Sequence, residues 1–182
     1  VINALTERSH PCQIMADLQT MIERHGALDG QIVTWVGDGN NVTTSWIEAA
    51  ARFGFQLRIA CPAAYAPPAE LLAWARGEGA DIVLYDNAED AVAGSQTVVT
   101  DVWISMGDDE GSRITDFQPF KVTNSLMEKA AADAIFMHCL PAWREIEVSA
   151  DVIDGPQSAV FDEAENRLHA QKAILAWCVA GN

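Results

Sequence analysis

The stretch QIVTWVGDGNN, from Gln31 to Asn41, decides the fold of this 182-residue sequence. It joins a short apolar, β-branched run to a turn with two glycines, and a helical pattern, Ser45–Phe53, follows it. The run predicts a buried strand. The glycines permit a tight or positive-φ turn, and Asn40 or Asn41 can cap a helix. We therefore predict a strand–turn–helix unit of the kind that builds parallel sheets.

The same alternation continues along the chain. Short apolar runs without strict alternation indicate strands buried on both faces. The predicted strands are Gln31–Val36, Gln56–Cys61, Asp81–Leu84, Thr97–Trp103, Ala134–His138 and Ser158–Phe161. The predicted helices between them are Ser45–Phe53, Pro67–Arg76, Ala88–Ala93 and Asn124–Ala132. Right-handed crossovers then give an α/β fold: a doubly wound, mainly parallel, Rossmann-like sheet of about five strands with helices on both faces.

Two long helices are predicted outside this unit, and one long loop inside it. The helices are Pro11–His25 and Glu163–Val179, near the two ends of the sequence. The polar segment Gly107–Pro119 contains two glycines and predicts a mobile loop.

The composition excludes several classes of protein. Eleven Lys and Arg face 26 Asp and Glu, and the net charge of −15 repels nucleic acid and anionic lipid. No apolar run approaches the ~20 residues of a membrane-spanning helix, and the first ten residues do not resemble a signal peptide. The four cysteines form no Cys-x-x-Cys pair, which disfavours zinc and redox sites. Reduced thiols indicate a cytoplasmic protein, and we expect neither a metal nor an organic cofactor.

Ligands bind beyond the carboxyl ends of strands in such sheets. Three segments lie there: Gly37–Asn41, Asp101–Gly107 and His138–Arg144. The first is a poor dinucleotide motif, because Val42 stands where a third glycine is expected and no acidic residue closes the second strand. It is either a plain capped turn or a turn whose asparagine also holds a ligand.

The other two strand ends carry reactive side chains. Asp101 could pair with an ammonium group or make only turn contacts, and Ser105 could donate or accept a hydrogen bond. Neighbouring residues on a strand point to opposite faces, so His138 is not expected to activate Cys139. Cys139 is therefore either catalytic or a half-buried structural residue.

The starts of the two long helices offer polar groups as well. His10 and Gln13 lie three residues apart at a helix N-terminus, where anions and carbonyl oxygens bind. Arg167 stands near the start of the last helix, which otherwise opens with acids. It either serves the site or forms a surface ion pair.

Five strings in this order resemble the second domain of ornithine carbamoyltransferase, and the resemblance covers nearly all 182 residues. They are Ser9–Gln13 (SHPCQ), Gly37–Asn41 (GDGNN), Asp101–Gly107 (DVWISMG), His138–Pro141 (HCLP) and Phe161–Leu168 (FDEAENRL). The resemblance implies transfer of a carbamoyl group from carbamoyl phosphate to the δ-amine of L-ornithine, giving L-citrulline, in arginine biosynthesis and amino-acid metabolism.

The resemblance also implies roles for individual residues. Cys139 and Arg167 would be catalytic. The residues implied for L-ornithine are Asn41, Asp101, Ser105 and Met106. Those implied for carbamoyl phosphate are His10, Gln13, Cys139, Leu140 and Arg167. The sequence departs from the family pattern at Trp143 and Ile146, beside the proposed site.

Finally, the resemblance implies an organisation. Residues 1–28 would carry an interdomain helix, 29–162 the α/β core and 163–182 a C-terminal interdomain helix. The family's N-terminal carbamoyl-phosphate domain would be absent, and its phosphate loop has no counterpart in the sequence. We expect an isolated chain without activity, a homo-oligomer, and no nucleic-acid or membrane partner. The alternative is a stand-alone amino-acid-binding module without catalysis.

Overall fold

The computed structural model describes residues 1–104 and 110–180, with the side chain of residue 110 excepted. The helices are α1 (Pro11–His25), α2 (Asn41–Phe53), α3 (Ala69–Gly77), α4 (Ala88–Val92), α5 (Glu110–Phe117), α6 (Asn124–Met127), α7 (Ala150–Ile153) and α8 (Val160–Ala180). The strands are β1 (Ile32–Val36), β2 (Gln56–Ala60), β3 (Ile82–Tyr85), β4 (Thr97–Thr100) and β5 (Ile135–His138). Short 3-10 turns lie at Ala63–Tyr65 and Gln118–Phe120.

The five strands form one parallel sheet in the order β3-β2-β1-β4-β5, which confirms the predicted fold class. The chain builds the sheet outward in one direction from β1 to β3, and in the other from β4 to β5. The order reverses between β1 and β4. In doubly wound sheets this reversal opens the crevice where ligands bind.

Apolar side chains cover both faces of the sheet except at its edge strand β3, where Val83 and Leu84 are exposed, so the prediction that this strand is buried on both faces is wrong. On one face α1, α2 and α3 pack around Trp35 and Trp46, both fully buried. On the other face α4, α6 and α7 pack around Val98 and Phe136. Since each large buried side chain contributes about 1.5–3 kcal/mol, these two layers explain why the strands are apolar on both sides. Helix α8 lies along α1.

The turn after β1 has the predicted form. Asn40 caps α2, because its Oδ1 accepts from the N–H groups of Val42 and Thr43 at 2.9 and 3.1 Å. A Cβ atom at Gly39 would lie 2.5 Å from the carbonyl oxygen of Tyr65, so this position has room only for glycine. The cap starts the helix at Asn41, four residues before the predicted start.

One predicted strand is wrong, and one predicted helix is shorter than predicted. Ser158–Phe161 is not a strand: Ser158 forms one isolated bridge to Phe136, and α8 begins at Val160. Ala159 and Val160 are buried at a helix start instead of a sheet edge, whereas Phe161 is exposed. The predicted helix Asn124–Ala132 is also shorter and ends at Met127.

The predicted mobile loop Gly107–Pro119 is mostly helix in its described part. Residues 105–109 lie outside the described residues, and α5 occupies Glu110–Phe117. Phe117 is fully buried and stacks on Trp103, with 5.8 Å between ring centroids. Arg113 pairs with Asp38 and lies 4.8 Å from the ring centroid of Tyr65. These contacts hold α5 over the turn after β1. Within the described residues, no helix is both long and apolar enough to cross a membrane.

Candidate functional site

Three strand ends meet at the carboxylate of Asp101, beside the reversal of strand order. Asp101 directly follows β4. Its Oδ2 accepts from the Nδ2 of Asn40 at 2.9 Å, after β1. Its Oδ1 accepts from the Sγ of Cys139 at 3.2 Å, after β5, and from the N–H of Val102 at 2.7 Å. The side chain is only partly buried, so its outer lone pairs can accept from a ligand.

Cys139 is held as a thiol. Burial raises its pKa well above the ordinary value, and the negative charges of Asp101 and Glu163 raise it further. A thiol that donates to a carboxylate has no tendency to become a thiolate nucleophile. The arrangement therefore makes Cys139 a hydrogen-bond donor and a wall of the site.

His138 does not activate Cys139, as the sequence predicted. Its ring is fully buried, with Nε2 at 3.2 Å from the Oε1 of Glu147 and Nδ1 accepting from the N–H of Leu140 at 3.0 Å. Leu140 has a φ of 53°, a left-handed conformation that persists only where the surroundings impose it. The same Glu147 oxygen accepts from the N–H of Trp143 at 2.6 Å. His138 and Glu147 thus shape the loop that carries Cys139 and Leu140.

Asp101, His138 and Cys139 also have the spacing of a metal site. One potential ligand atom from each lies within 4.8 Å of the others. Both ring nitrogens of His138 already hold protein partners, however, and the thiol of Cys139 keeps its proton. A metal ion would have to displace these bonds, so the donor set does not fit a resident metal.

A second polar cluster lies between α1 and α8. Arg167 donates through Nη1 to the Oε1 of Gln13, so its guanidinium is turned inward rather than toward a surface acid. His10 is buried, and its Nδ1 has no hydrogen-bond partner among the described residues. Burial lowers the pKa of His10, and the charge of Arg167 lowers it further. His10 is therefore a neutral imidazole that can donate to or accept from a ligand.

The two clusters are connected. The backbone N–H of His138 donates to the Oε2 of Glu163 at 2.8 Å, and Glu163 also accepts from Gln13 at 3.1 Å. The structure therefore brings His10, Gln13 and Arg167 next to the strand ends that carry Asp101 and Cys139. The three strand ends meet at one edge of the sheet, as the sequence predicted, and the starts of the two long helices join them there.

The remaining predicted site residues do not join these two clusters in the described part of the chain. The Nδ2 of Asn41 donates to the carbonyl oxygen of Thr6 at 2.8 Å, so its amide faces the N-terminal segment and not Asp101. Its neighbour Asn40 occupies that place. Ser105 and Met106 lie outside the described residues. Trp143 is exposed and does not fill the site.

Sequence reasoning missed three buried acids beside the site: Asp17, Glu147 and Glu163. One signal was available for two of them. Asp17 lies four residues after Gln13 on α1, and Glu163 lies four residues before Arg167 on α8. Residues four apart share a helix face, so each acid had to face the same way as its predicted site residue.

Residues 29–178 match the family described as aspartate/ornithine carbamoyltransferase, Asp/Orn binding domain. The chain is 57% identical over 180 residues to an ornithine carbamoyltransferase of Rhizobium johnstonii, covering 98% of this chain and 59% of that protein. It is 56% identical over 179 residues to one of Rhodopseudomonas palustris, covering 98% and 57%. The chain thus spans 57–59% of the length of these two curated relatives.

Solved structures of ornithine carbamoyltransferases superpose on this chain as well. An ornithine carbamoyltransferase from Pyrococcus furiosus superposes with a TM-score of 0.94 and 44% identity, over 100% of this chain and 60% of that one. One from Thermus thermophilus gives a TM-score of 0.87 and 41% identity, over 96% and 57%.

Proposed function

The chain belongs to the aspartate/ornithine carbamoyltransferase family, and from this membership we propose that it forms the ornithine-binding half of an ornithine carbamoyltransferase. The reaction joins the carbamoyl group of carbamoyl phosphate to the δ-amine of L-ornithine and releases L-citrulline and phosphate. The observation that carries the proposal is the partly open carboxylate of Asp101, held by Asn40 and Cys139 at the reversal of strand order.

On the ornithine side, Asp101 accepts from the α-ammonium group. A charge-assisted bond of this kind contributes roughly 1.5–3 kcal/mol. Asn40 and the thiol of Cys139 fix the carboxylate of Asp101 before ornithine binds, so binding costs little side-chain entropy. Asn41 donates to the ornithine carboxylate after giving up its bond to Thr6. Ser105 and Met106 bind the same α-amino-acid end of ornithine.

On the carbamoyl side, His10, Gln13, Arg167 and the carbonyl of Leu140 surround the reacting group. The δ-amine nitrogen attacks the carbonyl carbon, and the bond from that carbon to the phosphate oxygen breaks. Arg167 stabilises the oxygen charge that develops during attack. The amine proton leaves with the phosphate, because the protonated thiol of Cys139 is not a base. Holding the two substrates together supplies much of the acceleration.

The rest of the enzyme supplies the phosphate-binding group. Among the described basic side chains of these two clusters, Arg167 is the one permanent cation. A phosphate site ordinarily combines Arg or Lys with a helix N-terminus. We infer that the N-terminal part of the longer relatives provides it. The full-length enzyme is then this chain joined to that part, with residues 1–28 and 163–182 as interdomain helices around the core at 29–162.

The proposal also includes the pathway, the oligomeric state and the compartment of the enzyme. It acts in arginine biosynthesis as a homo-oligomer, with no metal or organic cofactor. All four cysteines are free thiols, which supports a reducing compartment, the cytoplasm.

Calorimetric titration of the full-length protein with L-ornithine, with and without carbamoyl phosphate, tests the proposal. We expect ornithine binding to strengthen at least about tenfold with carbamoyl phosphate present, a coupling of about 1.4 kcal/mol. Ornithine binding that ignores carbamoyl phosphate would identify an amino-acid-binding module instead.

A further inference from the structure

The side-chain amide of Gln13 is held by two buried carboxyl groups. Its Nε2 donates to the Oδ1 of Asp17 at 2.8 Å and to the Oε1 of Glu163 at 3.1 Å. Its Oε1 accepts from Arg167 on the side of the site. A primary amide has two N–H groups, and both are used here. A rotation of the amide by 180° would place its oxygen against two carboxyl groups and lose all three bonds.

The two carboxyl groups hold a proton between them. Asp17 and Glu163 are each only 1% exposed, and they lie in hydrogen-bonding contact with each other. Two carboxylates in hydrogen-bonding contact cannot both stay ionised when they are buried away from water. Burial is the main cause that raises the pKa of both groups, to about 7 for Asp17 and well above the ordinary value for Glu163.

The hydrogen bonds locate the shared proton. Glu163 accepts with both oxygens, from Gln13 at Oε1 and from the N–H of His138 at Oε2. Asp17 accepts from Gln13 at Oδ1, whereas its Oδ2 is buried with no donor among the described residues. A buried oxygen without a donor is costly unless a proton lies on it or is donated to it. The shared proton therefore lies between Oδ2 of Asp17 and Glu163, and their hydrogen bond acts to raise the pKa of Glu163 and to lower that of Asp17.

We propose that Asp17 and Glu163 are positioning residues that lock Gln13 in one amide orientation, with its oxygen toward Arg167 and the site. That oxygen can then accept from a ligand group that donates a hydrogen bond, such as the –NH2 of a carbamoyl group, and cannot pair with one that only accepts. This consequence for the ligand rests on the proposed function, whereas the orientation of Gln13 does not.

The orientation is tested in the 182-residue chain by NMR hydrogen exchange of the Gln13 side-chain amide, with the exposed Gln118 as internal reference. We expect exchange at least about 100-fold slower at Gln13 than at Gln118. Asp17→Asn keeps an acceptor oxygen and replaces the shared proton by an N–H, so slow exchange persists. Asp17→Leu keeps the branched shape and removes the acceptor, so exchange rises at least about tenfold.

Unchanged slow exchange in Asp17→Leu, with the backbone amides of β1 still protected, would overturn the proposal. If Asp17→Leu does not fold, the unmodified chain and Asp17→Asn decide: fast exchange in either would overturn it, and slow exchange in both supports it.

The ligand consequence is tested by kinetics of the full-length enzyme. We expect Asp17→Leu to raise the KM for carbamoyl phosphate at least about tenfold, with the KM for ornithine within about twofold, and Asp17→Asn to restore it. Equal changes in both KM values would overturn the selective role. No citrulline from the unmodified enzyme would instead refute the proposed function and leave the exchange result as the test of Gln13.

Discussion

The Sγ of Cys139 donates a hydrogen bond to the Oδ1 of Asp101 across 3.2 Å, so a cysteine at the centre of the site acts as a donor and not as a nucleophile. The bond joins the ends of β5 and β4, and it leaves part of the Asp101 carboxylate open. A substrate ammonium and the thiol can then share one carboxylate. In the proposed function, this relationship gives Asp101 the main part in substrate binding and Cys139 a supporting one.

Cys139 should be unreactive toward alkylation. The pKa of its thiol is raised by burial and by Asp101, so little thiolate exists at pH 8. We expect iodoacetamide to modify the exposed Cys178 first, as followed by peptide mass spectrometry. Asp101→Asn removes a charge that raises the pKa, and should therefore speed modification of Cys139. Faster modification of Cys139 than of Cys178 in the unmodified chain would contradict the thiol assignment.

Asp101→Asn in the full-length enzyme should weaken the use of ornithine. Loss of a charge-assisted bond worth roughly 1.5–3 kcal/mol lowers kcat/KM for ornithine by roughly 10–150-fold. Binding of carbamoyl phosphate should change much less, because His10, Gln13 and Arg167 face that substrate. Steady-state kinetics with each substrate varied in turn measure both effects. Asp133→Asn is the matched control, and an unchanged kcat/KM for ornithine in Asp101→Asn would reject the pairing.

Stability should fall as pH rises from about 4 to 7. The pKa of Asp17 is raised to about 7 in the folded chain, against 3.8 ordinarily. The folded state therefore binds more protons than the unfolded state in this window, and the free energy of unfolding decreases with pH. For Asp17 alone, three pKa units correspond to about 4 kcal/mol.

Urea denaturation at pH 5 and pH 8 measures this difference. Asp17→Asn should reduce it, with burial still raising the pKa of Glu163, whereas Asp133→Asn, at an exposed carboxylate, should leave it unchanged. A free energy of unfolding that is constant or rises across the window would mean that both buried carboxyls are ionised in the folded chain.

The 182-residue chain should self-associate through its terminal helices. Ile22 on α1 is 46% exposed, and Trp177 and Val179 on α8 are 64% and 82% exposed. A helix that is apolar on several sides needs cover on several sides. Sedimentation at several concentrations should show association, and Trp177→Glu should reduce it. Trp74→Glu, at a partly exposed tryptophan on α3, is the control. A strict monomer at high concentration would contradict this expectation.

The sequence predicted the sheet because its signals are local. The run before Gly37 and the turn after it specify a buried strand and a capped helix without help from distant residues. Helix α5 was missed because its polar, glycine-containing sequence resembles a loop. Its order depends on Phe117 packing against Trp103 and on the pairing of Arg113 with Asp38, which join distant segments.

The site was predicted only in part, because motifs are local whereas side-chain directions and pairings between helices are not. Motifs identified Asp101, Cys139, Gln13 and Arg167, whereas the choice of Asn40 over Asn41 as the partner of Asp101 depends on the direction of a side chain in the turn. The pairing of Asp17 with Glu163 joins residues 146 positions apart in the numbering of the sequence. Only the packing of α8 along α1 brings them together, so the sequence could indicate each acid but not the pair.

Citrulline formation from L-ornithine and carbamoyl phosphate, measured with the full-length enzyme and its Arg167→Ala variant, tests the central claim most directly. We expect robust turnover in the full-length enzyme, no turnover in the 182-residue chain alone, and a loss of at least about 100-fold in Arg167→Ala, since transition-state contacts of this kind contribute several kcal/mol. Full-length protein that binds ornithine but forms no citrulline, or an Arg167→Ala variant with unchanged turnover, would contradict it.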